Sequence, residues 1–329
     1  MRSKKPLIQN QSTKGDPILE RLPLACVDEG AAVDFMEHQR WGMSPICPLC
    51  GGVQPYKMTD SKTGKRQANY RWRCRDCKGQ YTVRKGTVLE DSAIPLKHWA
   101  FAFWRAATSK KGVSALEIHR QTGLSYKSSL FLLHRIRYAM TDTSTAQLGG
   151  AGVPVEADET YFGNKEGVAR RPGHGHKHAI FALVERKGGV RSFHVPSVTA
   201  KTLKPILNKH VSKHSDLMTD QAAVYERLGK RFARHETVNH SINEYARGDV
   251  TTNSAEGFFS ILKRGLHGIY HNVSEHHLHR YLSEFDFRYS NRDLSDGERT
   301  SLAIKRSEGK RLMYRCPDEA TQETLQATP

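Results

Sequence analysis

No apolar stretch in the chain reaches the roughly 20 residues that a bilayer-spanning helix needs, and none of signal-peptide length follows the basic opening Met1-Arg-Ser-Lys-Lys5. The expectation is therefore a cytoplasmic protein without a membrane partner. A phosphate loop of the form GxxxxGK[ST] is missing too, which argues against a nucleotide cofactor. Cysteines are few, six in 329 residues, and a reducing compartment leaves them no disulfide framework to build. Acids are also in short supply. The 34 Asp and Glu face 51 Lys and Arg, for a net charge of +17. Such a surface attracts polyanions, nucleic acid ahead of anionic membrane. Hydrophobic content of 37% is nevertheless enough for packed cores, and the length allows two or three domains.

Four of the six cysteines come as two matched pairs, Cys47-Pro-Leu-Cys50 and Cys74-Arg-Asp-Cys77, with 23 residues between them. Two-residue spacing turns both thiolates of a pair toward one metal, and Gly51 and Gly79 suit the tight turns that follow. Four thiolates make a closed tetrahedral Zn²⁺ site, which stabilises a fold and leaves no position for chemistry. A thioredoxin-like motif would need only one pair. Cys26 and Cys316 carry no assigned role. Residues 67–73 alternate as a strand of this zinc ribbon. From Tyr56 to Lys85 ten Lys and Arg stand against two Asp, interleaved with Tyr70, Trp72 and Tyr81. Arg71, Arg73 and Arg75 are the candidate phosphate contacts. A solvated face whose aromatics fill a small core is the competing reading, and both can hold on opposite faces of one strand.

The segment after Pro95 reads as helical. Leu116, Ile118 and Leu124 are placed to pack on Leu130, Leu133 and Ile136, with a turn at Gly123 and a cap at Ser125. This is a helix-turn-helix pattern that presents Tyr126 and Lys127 at the start of its second helix. The glycines Gly149, Gly150 and Gly152 then mark a linker, and the pattern changes to strands. Strands are expected at 153–162, 178–185, 190–195, 216–220 and 232–238, with helices at 199–211 and 253–265. Three antiparallel strands, helix, strand, strand, helix is the order of an RNase H-like domain. The expected fold is multidomain α/β: a mixed five-stranded sheet with flanking helices, preceded by the ribbon and the helix-turn-helix. The boundaries are a flexible segment 1–35, ribbon 36–92, helix-turn-helix 93–142, catalytic domain 150–295 and polar tail 296–329.

Three acids fall where that fold does chemistry. Asp158 lies mid-strand, Asp220 ends the fourth strand 62 residues later, and Glu256 follows after a further 36 on a helix. Cleaving a phosphodiester needs an activated nucleophile, a stabilised leaving oxygen and charge neutralisation. Two Mg²⁺ (or Mn²⁺) ions held by carboxylates supply all three. Glu156 and Glu159 read as ordinary exposed carboxylates. Asn253 lies three residues before Glu256, and Lys263 seven after it on the same helical face, where it and Arg264 can meet phosphate. The alternating His174, His176 and His178 read either as a metal tract or as a basic loop. His240 and His271 read as groove-lining or structural.

The string Asn253-Ser-Ala-Glu256-Gly-Phe-Phe-Ser-Ile-Leu-Lys263-Arg-Gly265, with His277-Leu-His-Arg280-Tyr281, Glu156-Ala-Asp158-Glu-Thr-Tyr161-Phe-Gly163 and Val238-Asn-His-Ser241, resembles bacterial insertion-sequence DDE transposases with an N-terminal zinc ribbon, the Merlin-related group. The resemblance runs over roughly residues 40–292. It implies that Asp158, Asp220 and Glu256 bind the catalytic metals. It also implies recognition of terminal inverted repeats in double-stranded DNA, joining of a 3′-hydroxyl to target DNA, a homodimer or larger assembly on DNA, and a location at the bacterial nucleoid. Relatives can carry Asn as the third catalytic residue, and many have His where this chain has Thr251-Thr252. Glu256 is the preferred third ligand here because a charged group holds Mg²⁺ better.

Three rival readings stand beside this one. His277-Leu-His-Arg280 with Tyr314 suits a tyrosine recombinase, which cuts without metal and leaves the three acids unexplained. A non-catalytic regulator would use only the ribbon and the helix-turn-helix. An RNase H-like nuclease would cut without joining.

Overall fold

Two short helices begin the computed structural model, which describes residues 16–239 and 246–313. Helix α1 (Pro17–Ala25) starts at Asp16, whose carboxylate accepts from the Ile18 N–H at 3.0 Å, with Pro17 in the first turn. Helix α2 (Glu29–Trp41) is capped by Asp28, which accepts from the Ala31 N–H at 2.7 Å. A flexible segment 1–35 is thus overturned from residue 16 onward. The caps were legible, but the helix buries Ala32, Val33, Phe35 and Met36, a face that the polar composition around it conceals. Residues 1–15 lie outside the described residues.

The ribbon is a three-stranded antiparallel sheet, β1 (Pro55–Lys57), β2 (Trp72–Cys74) and β3 (Gln80–Tyr81), in the order β1-β2-β3. The strand expected over 67–73 is shorter, because Gln67–Tyr70 closes a turn, with Tyr70 at φ +54°. Trp72 and Tyr81 are buried, and Trp41 of α2 meets both edge-on at 5.7 and 6.1 Å. The Trp72 indole donates to Glu37 at 2.7 Å. These ribbon aromatics are core, so the domain boundary at 36 cuts through the helix that packs on them.

Helices α3 (Leu96–Thr108), α4 (Ala115–Thr122) and α5 (Tyr126–Met140) follow. Three residues join α4 to α5. Gly123 takes φ +74°, and the Ser125 hydroxyl accepts from the Ser128 N–H at 3.1 Å, the expected cap. Ile118, Leu133 and Ile136 are buried as expected, but Leu116 is 51% exposed.

The second unit, residues 105–114 and 140–299, holds the large sheet. Strands β4 (Pro154–Phe162), β5 (His178–Glu185) and β6 (Val190–Val195) form an antiparallel meander. Helix α6 (Ala200–His210), capped by Thr199, returns the chain to β7 (Asp216–Asp220), and helix α7 (Ala223–Gly229) leads to β8 (Arg234–Val238). Strand order is β6-β5-β4-β7-β8, with β7 parallel to both β4 and β8. This is the RNase H-like arrangement. Helix α7, seven residues long, is too short to show a period in the sequence, yet a parallel β7–β8 pair requires a crossover of this kind. A small hairpin, β9 (Ala246–Arg247) and β10 (Val250–Thr251), precedes α8 (Asn253–Gly265). A π-helical turn, Leu266–Tyr270, leads on to α9 (Glu275–Ser290).

The two faces of this sheet carry separate cores. Ile180, Ala182 and Val184 pack with Phe258, Leu262, Leu278 and Leu282 of α8 and α9. Val155, Ala157 and Leu217 pack with Leu203, Leu207, Tyr225 and Leu228 of α6 and α7. The chain's last described helix, α10 (Asp296–Lys305), corrects the expected polar tail 296–329. Ala303 and Ile304 are buried, and the Glu308 carboxylate takes both arms of the Arg40 guanidinium. Tyr314 and Cys316 lie outside the described residues, as do His240 and Ser241. Among the described residues no helix is long and apolar enough to cross a membrane.

Candidate active site and metal centre

The register of the sheet sets two acids beside each other. β4 and β7 pair as Pro154 with Asp216, Val155 with Leu217 and Glu156 with Met218, an offset of 62 throughout (216 − 154). Asp158 and Asp220 have the same offset (220 − 158), so they occupy matching positions on neighbouring parallel strands, two residues beyond the last pair. Parallel neighbours at equal register point to one face and lie about 4.8 Å apart. That face is the α8 side, since Asp158 shares the parity of Glu156. The antiparallel partner of Asp158 is Ala182, whose methyl leaves room above the carboxylate. Asp158 accepts from the Glu159 N–H at 2.7 Å, and Asp220 from the Ala222 N–H at 3.1 Å.

Helix α8 brings the third acid. Its cap residue Thr252 makes no side-chain cap bond. The Glu156 carboxylate takes that place, accepting from the Ser254 N–H at 2.7 Å, the Ala255 N–H at 3.0 Å and the Ser254 hydroxyl at 3.0 Å. Arg186 completes its partners at 3.0 Å. A carboxylate on the open N–H groups of a first turn also sits at the positive end of the helix dipole. Glu156 is 0% exposed, so its reading as an exposed carboxylate is wrong. A legible signal existed: Glu156 and Asp158 are two apart on one strand and so share a face. What could not be read was a helix N-terminus waiting there. By this clamp the strand that carries Asp158 also fixes where Glu256, in the first turn of α8, begins.

Electrostatics ties the three together. Burial is the main cause that pushes the Asp158 carboxyl up to about 7, and the negative charges of Glu159, Asp220 and Glu256 add to it, against the Glu159 N–H. Asp158, Asp220 and Glu256 thus place their negative charges close together, with Glu159 beside them on the opposite face of the strand, and a bound cation would offset that repulsion. The donor set is hard oxygen, which suits Mg²⁺ or Mn²⁺ and fits the ions expected from sequence. Glu159 is also not the exposed acid expected. It accepts from the Tyr225 hydroxyl at 2.5 Å, and burial raises its carboxyl. Asn253, Glu256, Lys263 and Arg264 are all exposed on α8. The Asn253 N–H donates to Thr251.

The ribbon cysteines converge as a second, closed centre. The sulfurs of Cys47, Cys50, Cys74 and Cys77 lie within 4.8 Å of one another. Cys47 and Cys77 are 3.8 Å apart, and Cys50 and Cys74 3.7 Å. A tetrahedron with Zn–S near 2.3 Å has sulfurs about 3.8 Å apart, so the four fit Zn²⁺. Gly51 supplies the first knuckle's left-handed turn at φ +76°, but in the second Lys78 does so at φ +59°. Gly79 is needed for space instead: a Cβ there would sit 2.5 Å from Leu49. Arg71 and Arg75 are exposed and Arg73 half-buried on the ribbon face opposite Trp72. Arg75 lies over the Tyr56 ring at 5.2 Å. Tyr126, 53% exposed, and Lys127 open α5.

Residues 147–290 match the family model of the ISXO2-like transposase domain, and residues 27–80 that of the transposase zinc-ribbon domain. The second match takes in α2, in line with its packing on the ribbon. A related protein, an "uncharacterized protein in transposable element ISH50" of Halobacterium salinarum, is 27% identical over 282 residues, spanning 80% of this chain and 91% of that relative.

Proposed function

We propose that the chain is an insertion-sequence transposase of the group that joins an N-terminal zinc ribbon to an ISXO2-like transposase domain, and that it cuts DNA at element ends and joins the freed 3′-hydroxyl to target DNA. The observation that carries this reading is the equal register of Asp158 and Asp220, with the Glu256 charge acting on the same pocket. Two Mg²⁺ or Mn²⁺ ions bound there supply activation of the attacking oxygen and neutralisation of charge on the phosphate. Asp158, Asp220 and Glu256 hold them, with Glu256 rather than Asn253 as third ligand, because its charge reaches Asp158. Glu156 and Arg186 keep α8 in register with β4. Lys263 and Arg264, exposed farther along α8, meet backbone phosphates, and Asn253 orients the scissile group.

In the cutting step a water oxygen bonds to phosphorus and the 3′-oxygen leaves as a hydroxyl. In the joining step that 3′-oxygen bonds to a target phosphorus and the target's own 3′-oxygen leaves. The ribbon, through Arg71, Arg73 and Arg75, and the α4–α5 pair, through Tyr126 and Lys127, bind the terminal inverted repeats largely by phosphate contacts. Two copies of the chain bring two ends together at the bacterial nucleoid.

The test uses zinc-loaded protein with cleaved end DNA and plasmid target. Joined product should form on adding Mg²⁺ and be absent without it. Cutting without any joined product supports a nuclease instead, and DNA retention by Asp158→Ala with every phenotype of the wild type supports a regulator.

A further inference from the structure

The His174–His178 tract divides in the structure. His174 stacks on Tyr161 at 4.3 Å, while His178 opens β5 and is 4% exposed. β5 and β6 pair as Ala179 with Val195 and Ile180 with His194. His178 and His194 therefore point to the same face of the sheet, the one covered by α9, and their rings meet edge-on at 5.3 Å. The first residue of α9, Glu275, closes the group. Its carboxylate oxygens lie 3.9 Å from His178 Nδ1 and 3.8 Å from His194 Nε2. Both of these ring nitrogens are buried and without a hydrogen-bond partner.

We propose that His178, His194 and Glu275 form a second transition-metal site, of the zinc class, that ties the start of α9 to the β5–β6 corner of the sheet. Two imidazoles and a carboxylate are a Zn²⁺ donor set and a poor one for Mg²⁺, which favours oxygen alone. One ligand atom from each residue lies within 4.8 Å of the other two. Zn–N and Zn–O bonds of about 2.1 Å put tetrahedral donors roughly 3.4 Å apart, so the three side chains would draw together from their present spacing to hold the ion. Three protein ligands leave a fourth position for water.

The buried nitrogens supply the second observation. A polar atom held away from water without a partner is costly, and both nitrogens lie within 4.8 Å of each other and of a Glu275 oxygen. Glu275 is half exposed and gives the ion a way in. The site is separate from the acids. His178 is four residues along β5 from Ala182, the partner of Asp158, which is about 13 Å on the same face. It is also distinct from the ribbon, which has thiolates only. At its other end α9 is fastened to β6 by Asp286, which accepts from the Ser192 N–H at 2.9 Å and its hydroxyl at 2.6 Å. The metal would fix the near end, three turns away.

The experiment counts zinc on the full-length chain after dialysis against a slight excess of Zn²⁺ in Mg²⁺ buffer. Wild type should hold two equivalents. Glu275→Gln, exposed and near-isosteric, and His194→Ala should each hold one. With Co²⁺ in place of zinc, the remaining equivalent should keep the thiolate charge-transfer band of the ribbon, and the lost one should carry only weak ligand-field bands. The second equivalent should raise the melting temperature of wild type and leave that of Glu275→Gln unmoved. One equivalent in wild type, or two that persist in both variants, overturns the proposal. So does loss of the second equivalent in Asp158→Asn, which would place that zinc at the acids.

Discussion

Replacing Asp158 by Asn should make the Mg²⁺-free protein more stable at pH 8, although it removes a residue of the proposed active site. The folded-state carboxyl is raised from 3.8 to about 7. A raised carboxyl favours the fold fully below its unfolded value and loses that contribution as pH climbs to about 7. At pH 8 the wild-type fold carries a buried charge beside Glu159, Asp220 and Glu256. At 1.36 kcal/mol per unit that disfavours the charged fold by about 4 kcal/mol, and water on the open side of the pocket reduces this to about 2–4 kcal/mol. The amide keeps the acceptor for the Glu159 N–H and has no charge to place. For a domain of this size the gain corresponds to roughly 5–15 °C in melting temperature.

The assay is thermal unfolding of wild type and variant in zinc-replete, Mg²⁺-free buffer at pH 5 and pH 8, repeated with millimolar Mg²⁺. The difference should be large at pH 8 and shrink at pH 5, where most wild-type Asp158 is already protonated when folded. Added Mg²⁺ should raise wild type and not the variant, since a ligand stabilises only what binds it. A variant less stable than wild type at pH 8 without Mg²⁺, or equal Mg²⁺ stabilisation of both, would refute the crowded-acid account.

Other outcomes follow from the same geometry. Glu156→Ala strips α8 of its cap and leaves Arg186 without its carboxylate, so chemical denaturation should report a loss of about 3 kcal/mol. Glu156→Gln should keep most of the packing but place an amide donor against the Ser254 and Ala255 N–H groups, and lose DNA joining more than stability. Cys74→Ser should bring down the zinc bound with thiolate charge transfer and unpack Trp72, seen as a red shift of tryptophan emission. Arg71→Gln and Arg75→Gln should weaken end binding evenly across DNA sequences, each lowering the slope of log affinity against log salt by about 1. An unchanged slope removes those residues from the interface.

Much of the fold was open to reading because its periods are strong. β5, β6, β7 and α8 begin and end where alternation, glycine turns and helical spacing put them, and the cysteine pairs needed only their spacing. What escaped was either short or settled at a distance. Seven residues of α7 and the two-residue strands β9 and β10 are below the length at which a period shows. α1 is short and interrupted by Pro23, α2 looks polar in composition, and the face that α2 turns to Trp72 is seen only once the ribbon is built. Glu156 and Glu159 read as exposed residues because a charge on a strand declares its partner only when the helix above it is in place. The equal offset of 62 between Asp158 and Asp220 was visible as a number, but only the parallel β4–β7 pairing turned it into adjacency.

The most direct measurement is strand transfer of cleaved end DNA in Mg²⁺ by wild type, Asp158→Ala, Asp220→Ala, Glu256→Gln and Asn253→Ala, each first checked for zinc content and fold. Joined product should fall to background in the first three variants, with Asn253→Ala retaining measurable product. Full joining by Asp158→Ala or Asp220→Ala, or a loss confined to Asn253→Ala, would contradict the grip of these three carboxylates on the catalytic ions.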